Sequence, residues 1–385
     1  MIDDDKKFNI LYLHNESIMG GAEISLLNLV KRLDKQLFTP HFACSKEGPF
    51  IDELKNIKIS PDFVQFPGIR WPNPVRICNT IRNITNIIKK KQIDLIHSNQ
   101  PRSNLFGAIA AKINSVPIVW HERCLERGRF DSDNIFSFLP DRIICNSGAV
   151  KNRFTKEKID AKIRTIINGV DLSEFDPESN GSVIRKEFNI DKDELVIGTV
   201  GRIDSEKGYE CFLESARIIL QDIEKVHFLV VGEASNPSFE KSLYKMSEEK
   251  GIDKKTTFTG YRRDIPQLIG SMDVVVLPSE IDACSRVLFE SMAMQKPLVA
   301  TNAGGTPEIV QDGITGMLVK PQDSSEMAKC ILKLLHNKSL SEQYGKAGRK
   351  RVEDMFTIER NIKETESVYY DLLGINPKKD SLVNR

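Results

Sequence analysis

Two cations follow a short apolar run in GTVGRIDSEKGYECFL. Arg202 and Lys207 bracket a loop between Leu195–Val200 and a helical pattern. Arginine offers a planar fork and lysine a point charge, so the pair beside a helix start suits a pyrophosphate. Either cation alone reads first as a solvated surface charge. Further on, LPSEIDACSRVLFE puts Glu280 and Asp282 on a loop after Val274–Leu277, and Glu290 in the first turns of a helix starting near Arg286. Carboxylates accept hydrogen bonds from ribose and sugar hydroxyls. A single Glu beside an apolar run more often solvates a helix or pairs with its dipole. Gly304, Gly305 and Thr306 form a glycine turn before Pro307 and Glu308, which open a helix. Gly20 and Gly21 lie directly before another helix; they let backbone approach an anion, and read equally well as a plain turn. The spacing is not G-x-G-x-x-G, which leaves a dinucleotide little support. His121 ends the run Ile118–Trp120, where a packed core histidine is the first reading and a ligand contact the second. His14, His41 and His227 sit in strand patterns and read as structural.

These residues need strands and helices to hold them. Short β-branched runs alternate with amphipathic helical patterns, the signature of parallel α/β structure. In the front half, strands are expected at Ile10–Leu13, Thr39–Cys44, Leu95–His97, Ile118–Trp120 and Arg142–Asn146. Helices are expected at Glu23–Leu33, Asn73–Lys91 and Leu105–Ile113. A second series begins at Leu195–Val200 and continues through Val226–Val231, Thr257–Thr259, Val274–Leu277 and Leu298–Ala300. The economical reading is two Rossmann-like domains with parallel sheets, over 1–170 and 195–355. A Gly/Asn/Ser-rich linker spans 171–194, and a terminal helix with its tail spans 356–385.

With 385 residues, 40% hydrophobic and 28% charged, the chain is large enough for two cored domains and has the composition of a globular protein. Its start does not read as a signal peptide, and no run reaches the ~18 apolar residues of a membrane span. Seven scattered cysteines without C-x-x-C spacing fit reduced thiols better than zinc or disulfides. The first 170 residues carry 26 basic and 18 acidic side chains, although the whole chain is only +1. That surplus points to an anionic acceptor or membrane surface, unless it is a chance imbalance of the surface.

The motifs resemble, in order, those of the GT-B glycosyltransferases of family 4. They are GGAE (20–23), HSN (97–99), PIVWHE (117–122), NGVDLSEF (168–175), VGRIDSEKG (200–208), GYRRDIPQLIGSMDVVVLPS (260–279), the 277–319 segment and FTIERNIKETESVYYDLL (356–373). The resemblance implies a retaining transferase with two domains facing a cleft, the nucleotide-diphosphate sugar on the second, the acceptor on the first, and a final helix that crosses back to the first domain. It makes Arg202 and Lys207 the phosphate pair, Glu290 the ribose contact and Asp282 the contact to the transferred sugar. Gly20, Gly21, Gly304, Gly305 and Thr306 become further donor contacts, and His121 a group near the donor sugar. Asp282 stands where the family usually has Glu, and Ala283-Cys284-Ser285 replaces its glycine-aromatic-glycine.

The resemblance implies a UDP- or GDP-linked sugar as co-substrate, no cofactor and no metal, since cations and helix dipoles can neutralise the leaving diphosphate. A glycan or lipid-linked acceptor in cell-surface polysaccharide or glycolipid synthesis is expected. Arg76, Arg82, Arg123, Arg127 and Arg129 are the candidates for acceptor or membrane contact, in a cytoplasmic chain peripheral to the membrane. Three alternatives stand beside this reading. One is a nucleotide-sugar epimerase or phosphorylase of the same fold, although no cofactor lysine is marked. Another is a non-catalytic nucleotide-sugar-binding protein, which Asp282-Ala283-Cys284-Ser285 keeps open. Nucleic-acid binding is disfavoured because the basic residues are not interleaved with aromatics.

Overall fold

The computed structural model describes residues 7–68, 73–125, 132–154 and 157–376. These fall into two compact units. The first comprises the described residues up to Asn168 and those from Glu359 onward, and the second Gly169–Ile358.

The first unit is built on a seven-stranded parallel sheet. In chain order its strands are β1 (Phe8–His14), β2 (Phe38–Cys44), β3 (Asp62–Phe63), β4 (Leu95–Ser98), β5 (Ile118–Glu122), β6 (Arg142–Cys145) and β7 (Ile163–Thr165). In space they run β3-β2-β1-β4-β5-β6-β7. The central strands lack polar alternation because helices cover both faces; β4 and β5 are buried at every position. Register places Tyr12 opposite His97, and His97 opposite Val119. Since side chains alternate along a strand, Tyr12, His97, Val119 and His121 share one face. The helix Ile358–Leu373 covers it, with Val368 packed among Val119, Ile144 and Ile166.

The second unit has six parallel strands: β8 (Leu195–Val200), β9 (Val226–Val231), β10 (Thr256–Phe258), β11 (Val274–Leu277), β12 (Leu298–Thr301) and β13 (Met317–Val319). Their order is β10-β9-β8-β11-β12-β13. The chain winds away from β8 in one direction and returns to β11 on its other side. The change of winding direction therefore falls between β8 and β11, and the loops that follow them start from adjacent carboxyl ends. Some expected elements are longer than their apolar runs: the helix expected over Leu105–Ile113 spans Pro101–Asn114, with Pro at its first turn. The segment read as linker holds a helix, Ser182–Glu187. It joins the second unit because Gly181 abuts Ser271, where a Cβ would come within 2.3 Å of the Ser271 amide. Among the described residues no helix is long and apolar enough to cross a membrane.

Candidate functional site

In the second unit the predicted residues gather on the loops after β8, β11 and β12. Gly208 makes the first approach possible. Its φ of +69° is left-handed, and a Cβ there would lie 2.0 Å from the Pro278 carbonyl oxygen. Backbone thus meets backbone, and the Glu280 amide donates to the Glu206 carbonyl at 2.9 Å. The short turn Ser205–Lys207 then brings Lys207 Nζ to 2.6 Å from Asp282 Oδ2. The Asp282 carbonyl in turn accepts from the Gly305 amide at 2.9 Å. Gly304 makes that turn with a φ of +54°. Thr306 is buried, and its hydroxyl has no hydrogen-bond partner within the protein. Arg202 is more exposed and pairs with Asp204.

Glu290 lies one helical turn past Arg286 in the helix Arg286–Ala293, and Arg286 Nη2 is 2.9 Å from its Oε1. Burial raises the Glu290 carboxyl above the ordinary range, with Glu174 adding to the rise, and the Arg286 charge offsets only part of it. The departure Ala283-Cys284-Ser285 leaves Cys284 buried ahead of this helix.

In the first unit Gly20 precedes the helix Gly21–Arg32, whose N-terminus carries no side-chain cap. Extended backbone at Gly20 leaves little room for a side chain, since a Cβ would sit 3.0 Å from Glu23 Oε2. Buried Glu23 lies 3.0 Å from His14 Nε2. Burial pushes its carboxyl up, but the His14 contacts, its own backbone hydrogen bond and the Arg123 charge outweigh this and hold it below the usual range.

His121 ends β5, buried. Arg123, half-buried, reaches His121 and Asn168 within the first unit. Its Nη2 donates to His121 Nδ1 at 3.2 Å, and its Nη1 to Asn168 Oδ1 at 3.1 Å. Burial first, then the charge of Arg123 and the neighbouring His97, hold the His121 pKa well below its ordinary value. The ring is therefore neutral. Because a guanidinium has donors only, Nδ1 must be the acceptor and Nε2 carries the hydrogen. That Nε2 is buried without a hydrogen-bond partner within the protein. An orphan buried donor of this kind costs about 1–3 kcal/mol.

Arg76 and Arg82 are exposed on the helix Pro74–Lys90, with Lys89 and Lys90 at its end. Arg127 and Arg129 lie outside the described residues. Sequence reasoning assigned no role to His97 or Tyr369, although both lie in motifs it singled out; His97 Nε2 is 3.2 Å from His121 Nδ1. It also passed over a buried network beside His121. Asn104 Nδ2 donates to Glu122 Oε1 at 2.6 Å, and Arg153 Nη1 donates to Glu122 Oε2 at 3.2 Å and to the Cys124 carbonyl at 2.6 Å. Only the polar pair HE at a strand end signalled it in the sequence.

A family model described as glycosyl transferases group 1 matches residues 182–351, and one described as glycosyltransferase family 4 matches residues 19–174. The UDP-Gal:alpha-D-GlcNAc-diphosphoundecaprenol alpha-1,3-galactosyltransferase of Escherichia coli is 24% identical over 386 residues, covering 95% of this chain and 98% of that one. The capsular polysaccharide biosynthesis glycosyltransferase CapM of Staphylococcus aureus is 27% identical over 305 residues, covering 74% and 79%. Among solved structures, Anabaena Alr3699/HepE in complex with UDP and glucose superposes with a TM-score of 0.83 at 23% identity, over 94% of this chain and 98% of that one. A glycosyltransferase from Rickettsia africae reaches 0.85 at 23% identity, over 95% and 99%. With one model matched to each unit and a shared fold across nearly the whole length, the chain belongs to the GT-B glycosyltransferases of family 4.

Proposed function

We propose that this glycosyltransferase moves a sugar from a uridine-diphosphate sugar to a lipid-linked glycan, with retention of anomeric configuration. The observation that carries the reading is the Lys207–Asp282 pair, set on the loops after β8 and β11. A diphosphate entering this loop competes for Lys207 and frees the Asp282 carboxylate to accept from hydroxyls of the transferred sugar. The Gly305 turn and the Thr306 hydroxyl add donors to the phosphate oxygens, and Glu290 takes the ribose. The uridine base is supported by the names of related proteins: the E. coli relative uses UDP-Gal, and HepE is described with UDP and with UDP-glucose.

Chemically, the bond from the anomeric carbon to the donor phosphate oxygen breaks while the acceptor oxygen bonds that carbon from the same face. The acceptor's proton passes to the leaving phosphate oxygen. His121, neutral and with hydrogen on Nε2, is a hydrogen-bond donor to a substrate oxygen rather than a base. Arg202, Lys207 and backbone amides neutralise the leaving group, a task that needs no metal ion. For the acceptor, the exposed Arg76, Arg82, Lys89 and Lys90 supply attraction to an anionic leaflet, worth about 1 kcal/mol per residue near the surface. A peripheral place at the cytoplasmic face follows from that reading.

Thermal shift with UDP, GDP and ADP tests the donor. A ligand at a hundredfold its Kd stabilises the fold by about 2.7 kcal/mol. UDP should raise Tm and ADP should not. Stabilisation by GDP alone would move the donor to a guanosine sugar, and no response to any of the three would overturn the reading.

A further inference from the structure

Four rings on one face of the first unit's sheet form a chain of polar contacts. Tyr12, His97 and His121 project from β1, β4 and β5, and Tyr369 reaches them from the helix Ile358–Leu373. Tyr12 Oη lies 3.2 Å from Tyr369 Oη, and Tyr369 Oη lies 2.5 Å from His97 Nδ1. His97 Nε2 and Arg123 Nη2 are each 3.2 Å from His121 Nδ1. All four ring-bearing residues are buried.

Arg123 fixes the direction of the whole chain. Because its guanidinium only donates, His121 Nδ1 accepts. His97 Nε2 must then carry the hydrogen it directs at the same nitrogen. Burial and the Arg123 charge push the His97 pKa down to about 3, so the ring holds a single hydrogen and its Nδ1 is an acceptor. The Tyr369 hydroxyl therefore donates to His97, and its oxygen accepts from Tyr12. A neutral imidazole can carry its hydrogen on either nitrogen, and only one of the two forms leaves His121 Nε2 a donor. The fold has to choose.

We infer that His97 and Tyr369 are positioning residues for sugar transfer: through directed hydrogen bonds they hold His121 with its hydrogen on Nε2, ready to donate to a substrate oxygen. The C-terminal helix thereby reaches the reaction without touching substrate. This rests on the transferase reading, so one arm of the test needs no substrate.

In the full chain, nitrogen-15 spectra of the histidine rings should show His121 with Nε2 protonated and Nδ1 bare, and a ring protonated at Nδ1 would overturn the inference. In the transfer assay, Tyr369→Phe keeps the ring and loses the donor. It should lower kcat about three- to tenfold, the value of one hydrogen bond, and leave UDP affinity unchanged. At His97, Gln retains both an acceptor and a donor, whereas Phe keeps only the bulk. His97→Gln should keep most of the turnover and His97→Phe should lose it. The reverse order, or an unchanged kcat in Tyr369→Phe, would show mere packing and overturn the assignment. The predicted ring state in a chain that transfers no sugar would instead refute the transferase reading and leave the ring assignment standing.

Discussion

The ammonium of Lys207 lies 2.6 Å from a carboxylate oxygen of Asp282, although 75 residues separate them in the chain. The cause is topological. β8 and β11 are neighbours in the sheet, and the close approach of Gly208 to Pro278 presses their following loops together. A cation suited to phosphate and a carboxylate suited to sugar hydroxyls thus begin as each other's partner.

Removing Lys207 should weaken UDP binding more than removing Arg202. A buried charged contact to phosphate costs about 2–5 kcal/mol when truncated. Lys207 is the more buried of the two, with side-chain exposure of 27% against 55% for Arg202, which also has Asp204 as a partner. Calorimetry with UDP should give a loss of tens-fold or more for Lys207→Ala and a smaller one for Arg202→Ala. Wild-type affinity in both variants would mean that the donor lies elsewhere.

Turnover should survive excess EDTA if cations and amides alone neutralise the leaving diphosphate. Release of UDP would be followed before and after chelation. Complete loss, restored by a divalent ion, would contradict the clamp.

Glu290 gives a pH-dependent stability effect of known sign. Its folded-state pKa is raised by burial, so folding disfavours its ionised form. The wild-type fold should lose stability as pH rises from the unfolded-state value of about 4.3 through the higher folded-state value. Glu290→Gln does not ionise. In urea titrations from pH 4 to about 8, the variant's stability relative to wild type should therefore increase with pH, while its UDP affinity falls. A difference that is flat across this range, or falls, would contradict the assignment of the shift.

Membrane attraction should follow the exposed face of the helix Pro74–Lys90. Co-sedimentation with vesicles should rise with anionic lipid and fall with salt, and drop in an Arg76→Ala, Arg82→Ala double variant. Equal recovery on neutral and anionic vesicles would remove the membrane contact and leave sugar transfer untouched.

Much of this arrangement was legible in the sequence because strand ends carry the chemistry. Runs such as Val274–Leu277 are buried throughout and announce themselves as apolar. The Asp282 and Glu290 that follow are then placed by counting. What sequence could not supply was sheet order and side-chain direction. Tyr369 and His97 stand 272 residues apart, and only the packing of the last helix on β5 and β6 joins them. Charge counting grouped Arg123 with the other basic residues and gave no sign of its contact with His121. The helix Ser182–Glu187 was hidden by flanking Gly and Asn, which lower local propensity and read as a linker.

Asp282→Asn, with UDP affinity and sugar turnover measured on the same preparation, separates service to the transferred sugar by Asp282 from the hold of its neighbours on the nucleotide. The partner hydroxyls of Asp282 exist only on the donor sugar, so a contact that strengthens as positive charge develops at the anomeric carbon appears in kcat. Asp282→Asn should bind UDP at least as tightly as wild type, since Lys207 loses its competing partner, with kcat reduced by about tenfold or more. Full turnover in Asp282→Asn would contradict this expectation and move the role to Glu280.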